Sequence, residues 1–422
     1  MKRLFFIVSL FFIANGIMSA HVCDGSLSSI DKGIYRESVS PSTFIEEADS
    51  LLNLYNSRMY LREDPECNYK NEDVSYPKEV YIERLRRLPN IIEMPYNDEV
   101  RKVIDKYTGR LRRHVSYMLG ASNFYMPLFE KALETYGLPL ELKYLPIIES
   151  GLNPNAVSRV GASGLWQFML QTGKQYGLEV NSLVDERRDP VKATYAAARY
   201  LRDLYNIYGD WSLVIAAYNC GPENVRKAMH RSGKSDYWSI YSYLPRETQG
   251  YVPAFIAANY VMNYYCKHNI CPMVCDLPAK TDSVMVNTNI HFGQISGVLG
   301  ISVEQLRALN PQYRRDIVNG DTELAALNLP ADRITSFIDS LDVIKVYQSE
   351  KFDKKRDEVQ VEKKVVTKNK RSGRKGRRMV TIRPGQTLSQ IAKQNHTTVS
   401  KLKRLNGLRG TNIRAGKKLR VR

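Results

Sequence analysis

One carboxylate, Glu149, has a setting suited to acid chemistry. It closes the apolar run Leu145-Pro146-Ile147-Ile148 and precedes a loop rich in glycine, serine and asparagine. Apolar neighbours desolvate a carboxyl group and favour its protonated form. A carboxyl that keeps its proton near neutral pH can act as a general acid, and we predict this role for Glu149. The alternative is a carboxylate that merely ends a helix.

Other catalytic signatures are missing from the sequence. There is no phosphate-binding glycine loop, no His-Glu-x-x-His zinc pair and no Gly-x-Ser-x-Gly elbow. The six histidines are scattered, so a nucleophilic pair of Cys220 with a histidine has no specific support. We therefore expect neither a metal ion nor an organic cofactor.

The elements around Glu149 are predicted to be mainly helical. Pro146 indicates that the helix carrying Glu149 bends or begins after Pro139. Asp189-Pro190 predicts the start of a helix that runs to Tyr208 and ends at Gly209. Asp210 is expected to cap the next helix.

Upstream, amphipathic patterns predict two helices, over 79–88 and 99–119.

Four segments over residues 120–268 resemble the soluble lytic transglycosylase family, in particular its membrane-bound D type. In the family's order they are Glu149-Ser150, Gly164-Leu165-Trp166-Gln167, Ala217-Tyr218-Asn219 and Tyr251-Val252. Trp166 stands where the family has Met, and Cys220 follows the third segment where Ala is commoner. The resemblance implies a goose-lysozyme-like catalytic domain.

The resemblance also implies a reaction. Glu149 would protonate the glycosidic oxygen between N-acetylmuramic acid and N-acetylglucosamine, then act as a base towards the C6 hydroxyl of the muramic acid. The product is a 1,6-anhydro sugar, formed without water. Most glycosidases instead use two carboxylates. Asp185, Glu186 and Asp189 are the nearby candidates for a second, but Asp189 suits a helix cap and Asp185 a loop.

Six side chains in this region are candidates for contacts with the sugar: Ser158, Gln167, Met169, Tyr218, Asn219 and Tyr251. The serine and the two amides would bind the N-acetyl group, with the serine also able to reach the glutamate. The tyrosines would orient Glu149 or the acetamido group, and the methionine would form an apolar wall. Capping and core packing are the non-catalytic alternatives, and core packing and cleft lining are equally open for Trp166.

An internal repeat follows the predicted catalytic domain. Val286 to Asn310 aligns without gaps to Ile382 to Asn406, at an offset of 96 residues. Each copy predicts strand, helix, helix, strand. The copies resemble LysM modules, which bind glycans that contain N-acetylglucosamine. The first copy is degenerate, because it lacks the Pro384-Gly385-Gln386-Thr387-Leu388 turn of the second.

The amino terminus predicts export. Lys2 and Arg3 precede the apolar stretch Leu4 to Ile13 and small residues up to Ala20, as in a secretory signal. Lipidation of Cys23 is the less favoured alternative, because the bulky Val22 precedes it. Export permits disulfides, and the closeness of Cys266, Cys271 and Cys275 favours a local bridge.

The positive charge is concentrated near the carboxyl terminus. The formal net charge is +18, and residues 351–422 hold 24 Lys and Arg against 4 Asp and Glu. For an exported protein, this charge favours anionic glycan, murein carboxylates or lipid headgroups as partners, and not nucleic acid.

These observations predict an α+β, mainly helical chain. The predicted order is a signal peptide (1–20), a helical region (21–119), the catalytic domain (120–275), a degenerate LysM (280–345), a basic linker (346–379) and a LysM (380–422). We expect a monomer in the periplasm or cell envelope, associated with the outer membrane through peripheral contact, that acts on peptidoglycan strands. Two alternatives are a hydrolysing lysozyme-type muramidase and a non-catalytic peptidoglycan-binding protein.

Overall fold

The computed structural model describes residues 61–68, 72–278, 280–352, 379–408 and 410–421. The predicted signal peptide, Cys23 and residues 353–378 of the predicted linker lie outside this part of the chain. Two compact units divide the chain, Met1–Val361 and Glu362–Arg422.

Helices make up most of the described residues from 72 to 268, which confirms the mainly helical class. In chain order they are α1 (Lys78–Arg87), α2 (Asp98–Thr108), α3 (Arg112–Thr135), α4 (Leu145–Ser150), α5 (Leu170–Gln175), α6 (Pro190–Tyr208), α7 (Trp211–Cys220), α8 (Pro222–Ser232), α9 (Tyr237–Ile240), α10 (Arg246–Gln249) and α11 (Tyr251–Tyr264), with 3₁₀ turns at Tyr241–Tyr243 and Tyr265–His268. Within the described residues, no helix is both long and apolar enough to cross a membrane.

The first helices share one core with the rest of the helical body. Tyr81 on α1 and Ile104 on α2 are fully buried in the same hydrophobic cluster as Phe129 and Val252. The helix predicted over 99–119 is instead broken at Gly109, after which α3 runs across the predicted boundary at 119–120. Residues 78–108 therefore pack into the same core as the helices that follow them and do not form a core of their own.

The caps predicted around α6 and α7 are confirmed. The Asp189 carboxylate accepts from the backbone N–H groups of Val191 and Lys192, both at 2.9 Å, and Pro190 fills the first turn. Gly209 ends α6 with a φ of 61°. Asp210 then caps α7 by accepting from Leu213 N–H at 2.7 Å.

The first repeat copy folds into a small domain within the first unit, here called the LysM-like domain (280–346). Its strands are β3 (Thr281–Val286), β4 (Asn289–His291), β5 (Ile317–Asn319) and β6 (Ala325–Pro330), and its central helices are α12 (Phe292–Leu299) and α13 (Val303–Leu309). The strands pair antiparallel as β3 with β6 and β4 with β5.

A 3₁₀ turn and three short helices follow these strands: Ala331–Arg333, α14 (Ile334–Asp339), α15 (Leu341–Val346) and α16 (Ser349–Phe352). Phe352 stacks on His291 at 4.6 Å between ring centroids. The first residues of the predicted linker are thus packed against the LysM-like domain.

The second unit contains the second copy. Its elements are β7 (Met379–Thr381), α17 (Leu388–Gln394), α18 (Val399–Asn406) and β8 (Lys418–Arg420), with β7 antiparallel to β8. This is the predicted order of strand, helix, helix, strand. Thr387 caps α17 in a capping box with Gln390, and His291 does the same with Gln294 at the equivalent positions of the first copy.

One asparagine closes each copy in the same way. The Asn406 side chain donates to Leu402 and Arg420 carbonyls and accepts from Arg420 N–H, at 2.7–2.8 Å. Its counterpart Asn310 makes the matching bonds to Leu306 and Asn328, at 2.7–2.9 Å. The repeat seen in sequence is therefore a repeated clamp between the second helix and the last strand.

The local bridge expected among the carboxyl-terminal cysteines is wrong. Cys271 pairs with Cys67, 204 residues away, at a Cα–Cα distance of 6.0 Å. Cys266 is also disulfide-bonded, whereas Cys275 is a free thiol. The reason is a short sheet in which β1 (Leu61–Arg62) pairs antiparallel with β2 (Val274–Cys275) and brings residue 67 beside residue 271.

Replacing the clamp in the second unit should destabilise that unit alone. Asn406→Ala leaves partly buried backbone groups of β8 without their partner, so we expect the free energy of unfolding of the LysM module to fall by about 1–3 kcal/mol. Urea denaturation followed by circular dichroism measures this. The exposed Asn412→Ala is the matched control and should change little; equal stability of both variants would refute the clamp.

Candidate active site

Glu149 is placed at the end of a very short helix. Pro146 lies in the first turn of α4, so the helix begins after Pro139, one of the two arrangements expected. Gly151 stops α4 in the left-handed conformation, with a φ of 58°. The glutamate is therefore presented by a tight helix end and keeps partial access to solvent.

The Glu149 carboxyl has one identified hydrogen-bond donor. The Tyr251 hydroxyl, at the start of α11, donates to Glu149 Oε1 at 2.5 Å. Desolvation by the surrounding side chains raises the pKa of Glu149 to about 8, against the lowering effect of the Tyr251 bond, and the nearby charge of Glu247 raises it further. Glu149 is therefore protonated at neutral pH, as a general acid requires.

The loop from Ala156 to Phe168, here called the cleft loop, is tied to the glutamate helix. The Ser150 hydroxyl, next to Glu149, contacts the carbonyls of Leu165 at 2.9 Å and Pro146 at 3.0 Å. Within the loop, Gly164 N–H donates to the Ala156 carbonyl at 2.9 Å. A shift of the cleft loop would therefore move the end of α4.

Gly164 is required by a close backbone approach. Its φ is 87°, and a Cβ at this position would lie 1.8 Å from the Arg187 carbonyl oxygen. A larger residue would push the cleft loop away from the Arg187 backbone. This explains why the segment Gly164 to Gln167 begins with glycine.

The three predicted loop residues have different surroundings. The Ser158 hydroxyl accepts from Ala162 N–H at 3.0 Å, the loop cap that sequence reasoning named as the alternative. Gln167, with a φ of 46°, donates from Nε2 to the Gly164 carbonyl at 2.8 Å, so its amide also supports the loop. Met169 is partly exposed at the start of α5.

The aromatic candidates differ in whether they contact Glu149 or are buried in the core. Tyr251 contacts Glu149, as predicted for a residue that orients the carboxyl. Tyr218 is fully buried, and its hydroxyl donates to the Trp166 carbonyl at 3.4 Å, so it packs under the cleft loop. Trp166 is also fully buried and donates from Nε1 to Thr194 at 2.8 Å. Of the two alternatives for Trp166, core packing is the one observed.

Asn219 has a buried atom that lacks a partner. Within the described residues, its Oδ1 is buried and accepts no hydrogen bond. An unsatisfied buried acceptor is unfavourable by about 1–3 kcal/mol, so a ligand N–H that reached this oxygen would gain that amount. This supports the predicted contact between Asn219 and a sugar amide.

The three acidic residues considered for a second carboxylate are engaged elsewhere. Asp185 is fully buried and pairs with Arg187 at 2.8 Å. Asp189 caps α6, and Glu186 accepts from Glu179 N–H at 2.8 Å and forms an ion pair with Lys192. The acidic neighbour whose charge reaches Glu149 is Glu247 on α10, which sequence reasoning missed. The feature of the sequence that could have indicated Glu247 is its position four residues before Tyr251.

Two other chemistries gain no support. Burial raises the pKa of the Cys220 thiol to about 12, against a hydrogen bond from Thr248, so this cysteine is a poor nucleophile. Among the residues that the structure describes, His, Cys, Asp and Glu form no group of three or more that could hold a metal ion.

Comparison with known families identifies three domains. Residues 127–241 match "Transglycosylase SLT domain", residues 280–346 match "Lytic transglycosylase MltD, LysM-like domain", and residues 380–422 match "LysM domain". The chain thus carries a transglycosylase SLT domain followed by two domains of the LysM type, which confirms the resemblance found in sequence.

Individual relatives cover different shares of the chain. Membrane-bound lytic murein transglycosylase D of Escherichia coli is 28% identical over 335 residues, which is 78% of this chain and 70% of the relative. Soluble lytic murein transglycosylase of the same organism is 33% identical over 124 residues, 28% of this chain and 19% of that protein. The solved lytic transglycosylase Slt of Pseudomonas aeruginosa is 18% identical with a TM-score of 0.30, covering 55% of this chain and 42% of its own.

The pKa of Glu149 should set the alkaline limit of glycan turnover. Because a general acid must hold its proton, a catalytic Glu149 predicts that kcat/KM falls as the pH rises above about 8. Glu247→Gln removes a charge that raises this pKa, so the limit should move to lower pH. Tyr251→Phe removes a bond that lowers it, so the limit should move to higher pH, with a lower plateau.

A pH–rate profile of solubilised glycan checks both directions. The exposed Glu223→Gln on α8 is the matched control and should leave the profile unchanged. If Glu247→Gln and Tyr251→Phe moved the alkaline limit of the profile in the same direction, the causes given for the raised pKa of Glu149 would be contradicted.

Proposed function

We propose that this protein is a peptidoglycan lytic transglycosylase. It cleaves the β-1,4 bond between N-acetylmuramic acid and N-acetylglucosamine and leaves 1,6-anhydro-N-acetylmuramic acid ends. The observation that carries the proposal is a protonated Glu149, held by Tyr251 at 2.5 Å, inside a transglycosylase SLT domain.

Glu149 serves both proton transfers. As an acid it protonates the glycosidic oxygen as the bond to the muramic acid breaks. As a carboxylate it then takes the proton of the C6 hydroxyl, whose oxygen attacks C1 of the same sugar. Tyr251 stabilises the carboxylate form in the second step, because its hydroxyl donates to the oxygen that becomes charged.

Substrate contacts are proposed for the cleft residues. The unpaired Oδ1 of Asn219 supports binding of an acetamido N–H, and the partial exposure of Met169 supports contact with a sugar ring. Tyr218, Gln167 and Ser158 act mainly by holding the cleft loop, since their hydrogen bonds run to backbone groups of that loop.

Glu247 favours one competing function. A hydrolysing muramidase needs a second carboxylate to activate water or to trap the sugar, and Glu247 is the acidic residue near enough to perturb Glu149. In the transglycosylase its charge raises the pKa of the acid, whereas in a hydrolase it would act as the general base towards water.

The LysM domains bind peptidoglycan, and the protein works in the cell envelope. We propose that it is a periplasmic monomer, and that the basic segment from residue 351 adds peripheral contact with anionic lipid or murein at the outer membrane. The concentration of 24 basic residues in that segment supports this partner class.

The mass of the released muropeptides separates the two enzymes. We expect anhydro ends from purified sacculi and no accumulation of reducing ends heavier by one water. Glu247→Gln should keep the anhydro product. Reducing ends as the main product, together with their loss in Glu247→Gln, would establish a hydrolase instead.

Removing the acid tests the site itself. Glu149→Gln keeps the shape of the side chain but has no proton to donate, so we expect turnover of sacculi to fall by at least about 100-fold. The paired control Glu223→Gln changes an exposed glutamate on α8 that pairs with Arg226, and it should retain turnover. Unchanged turnover by Glu149→Gln would refute the site, whereas a wild type without turnover would leave a binding protein as the alternative.

Deleting Val380 to Arg422 tests the role of the second unit. Since the acid and its supporting loop lie in the first unit, cleavage of soluble glycan should persist, while retention on sacculi should weaken. Co-sedimentation with sacculi measures retention, and equal sedimentation of the two proteins would contradict a binding role for this module.

A further inference from the structure

We propose that the LysM-like domain is part of the catalytic apparatus and that Arg314 is a positioning residue for the cleft loop. This inference rests on the proposed function, because the loop in question is tied to the helix end that carries the acid. The contacts that carry it form a continuous path from the LysM-like domain to Glu149.

The path begins where the two domains share backbone hydrogen bonds. Asp185 N–H donates to the Gln312 carbonyl at 2.9 Å, and Arg314 N–H donates to the Leu183 carbonyl at 2.8 Å. Leu183 and Val184 are buried in the hydrophobic core of the LysM-like domain. The segment that ends at Asp185 is thus built into both domains.

The Asp185 carboxylate is the point where side chains from the two domains meet. This fully buried carboxylate receives Arg187 Nε and Nη2 at 2.8 Å each and Arg314 Nη2 at 3.1 Å. Burial by itself would raise the pKa of Asp185, but these arginines and Arg188 outweigh it and hold the pKa below the usual range. The carboxylate is therefore charged and fixed in orientation by groups from both domains.

Arg187 carries the path into the cleft loop. While its Nε and Nη2 bind Asp185, its Nη1 donates to the carbonyls of Gly161 at 2.8 Å and Phe168 at 3.1 Å. Gly161 lies near the middle of the cleft loop and Phe168 at its end, so Arg187 joins two separate points of the loop. The Arg187 backbone also lies against Gly164, where there is no room for a Cβ.

The last link runs from the loop to the acid. Leu165, three residues before Phe168, accepts from the Ser150 hydroxyl at 2.9 Å, and Ser150 adjoins Glu149. Because a misplacement of about 1 Å can lower a rate by about 100-fold, a loosened loop affects turnover even when no substrate contact is lost.

Arg314 is the member of the cluster that can be changed with least damage. Its side chain is 32% exposed, against 7% for Arg187 and 0% for Asp185. Loss of the Arg314 side chain leaves the Asp185–Arg187 pair and the backbone hydrogen bonds between the domains complete, so the fold keeps its buried ion pair while the side-chain contact from Arg314 to Asp185 is removed. Arg307 offers a matched control, since it pairs with Asp316 at 2.7 Å entirely within the LysM-like domain.

The test compares Arg314→Met and Arg307→Met in the full-length protein. For Arg314→Met we expect kcat on soluble glycan strands to fall by about tenfold with KM little changed, because positioning and not binding is lost. Amide hydrogen exchange in the peptide covering 156–169 should become several-fold faster. Arg307→Met should match the wild type in both measurements, and Arg314→Lys should recover most of kcat.

Two results would overturn the inference: unchanged kcat in Arg314→Met, or a fall in kcat that only follows the loss of folded protein while exchange in 156–169 is unchanged. If Arg314→Met does not fold, Arg314→Lys and Arg314→Gln apply the same test. The exchange measurement does not depend on catalysis. A wild type that releases no anhydro product would therefore refute the proposed function, while the coupling between the domains would still be tested.

Discussion

The proposed reaction depends on keeping one carboxyl, that of Glu149, desolvated. Glu149 has a single identified donor, Tyr251, and its pKa of about 8 follows from burial against neighbouring side chains, with the charge of Glu247 acting in the same direction. Removing water favours the neutral acid, and one short hydrogen bond keeps the carboxylate accessible when the proton leaves. A residue that must be acid first and base second needs both effects in balance.

The surrounding fold fixes the position of Glu149 through contacts with backbone groups. The tight end of α4 presents Glu149, Ser150 ties that end to the cleft loop, and Arg187 holds the loop by two carbonyls. Three of the six predicted substrate residues, Ser158, Gln167 and Tyr218, form hydrogen bonds to backbone groups of this loop. A site on a short helix and a loop becomes rigid only when such supporting bonds are complete.

Local signals explain what was predictable from sequence. The caps at Asp189 and Asp210, the repeat with its paired asparagines and the apolar setting of Glu149 depend on short-range patterns. The bridge from Cys67 to Cys271, the charge of Glu247 near Glu149 and the docking of Arg314 on Asp185 all join distant segments. Trp166 was undecided for the same reason, since only the packing of α3 and α6 around it excludes the cleft. Tertiary contacts of this kind leave no periodic trace in a single sequence.

Digestion of sacculi in water enriched in oxygen-18 tests the central claim most directly. In the proposed reaction Glu149 takes the proton of the C6 hydroxyl, and the C6 oxygen bonds to C1 of the same sugar. The anhydro muropeptides released by the enzyme should then carry no label. Products with one labelled oxygen at C1, formed in step with turnover, would show that water resolves the intermediate and would contradict the account.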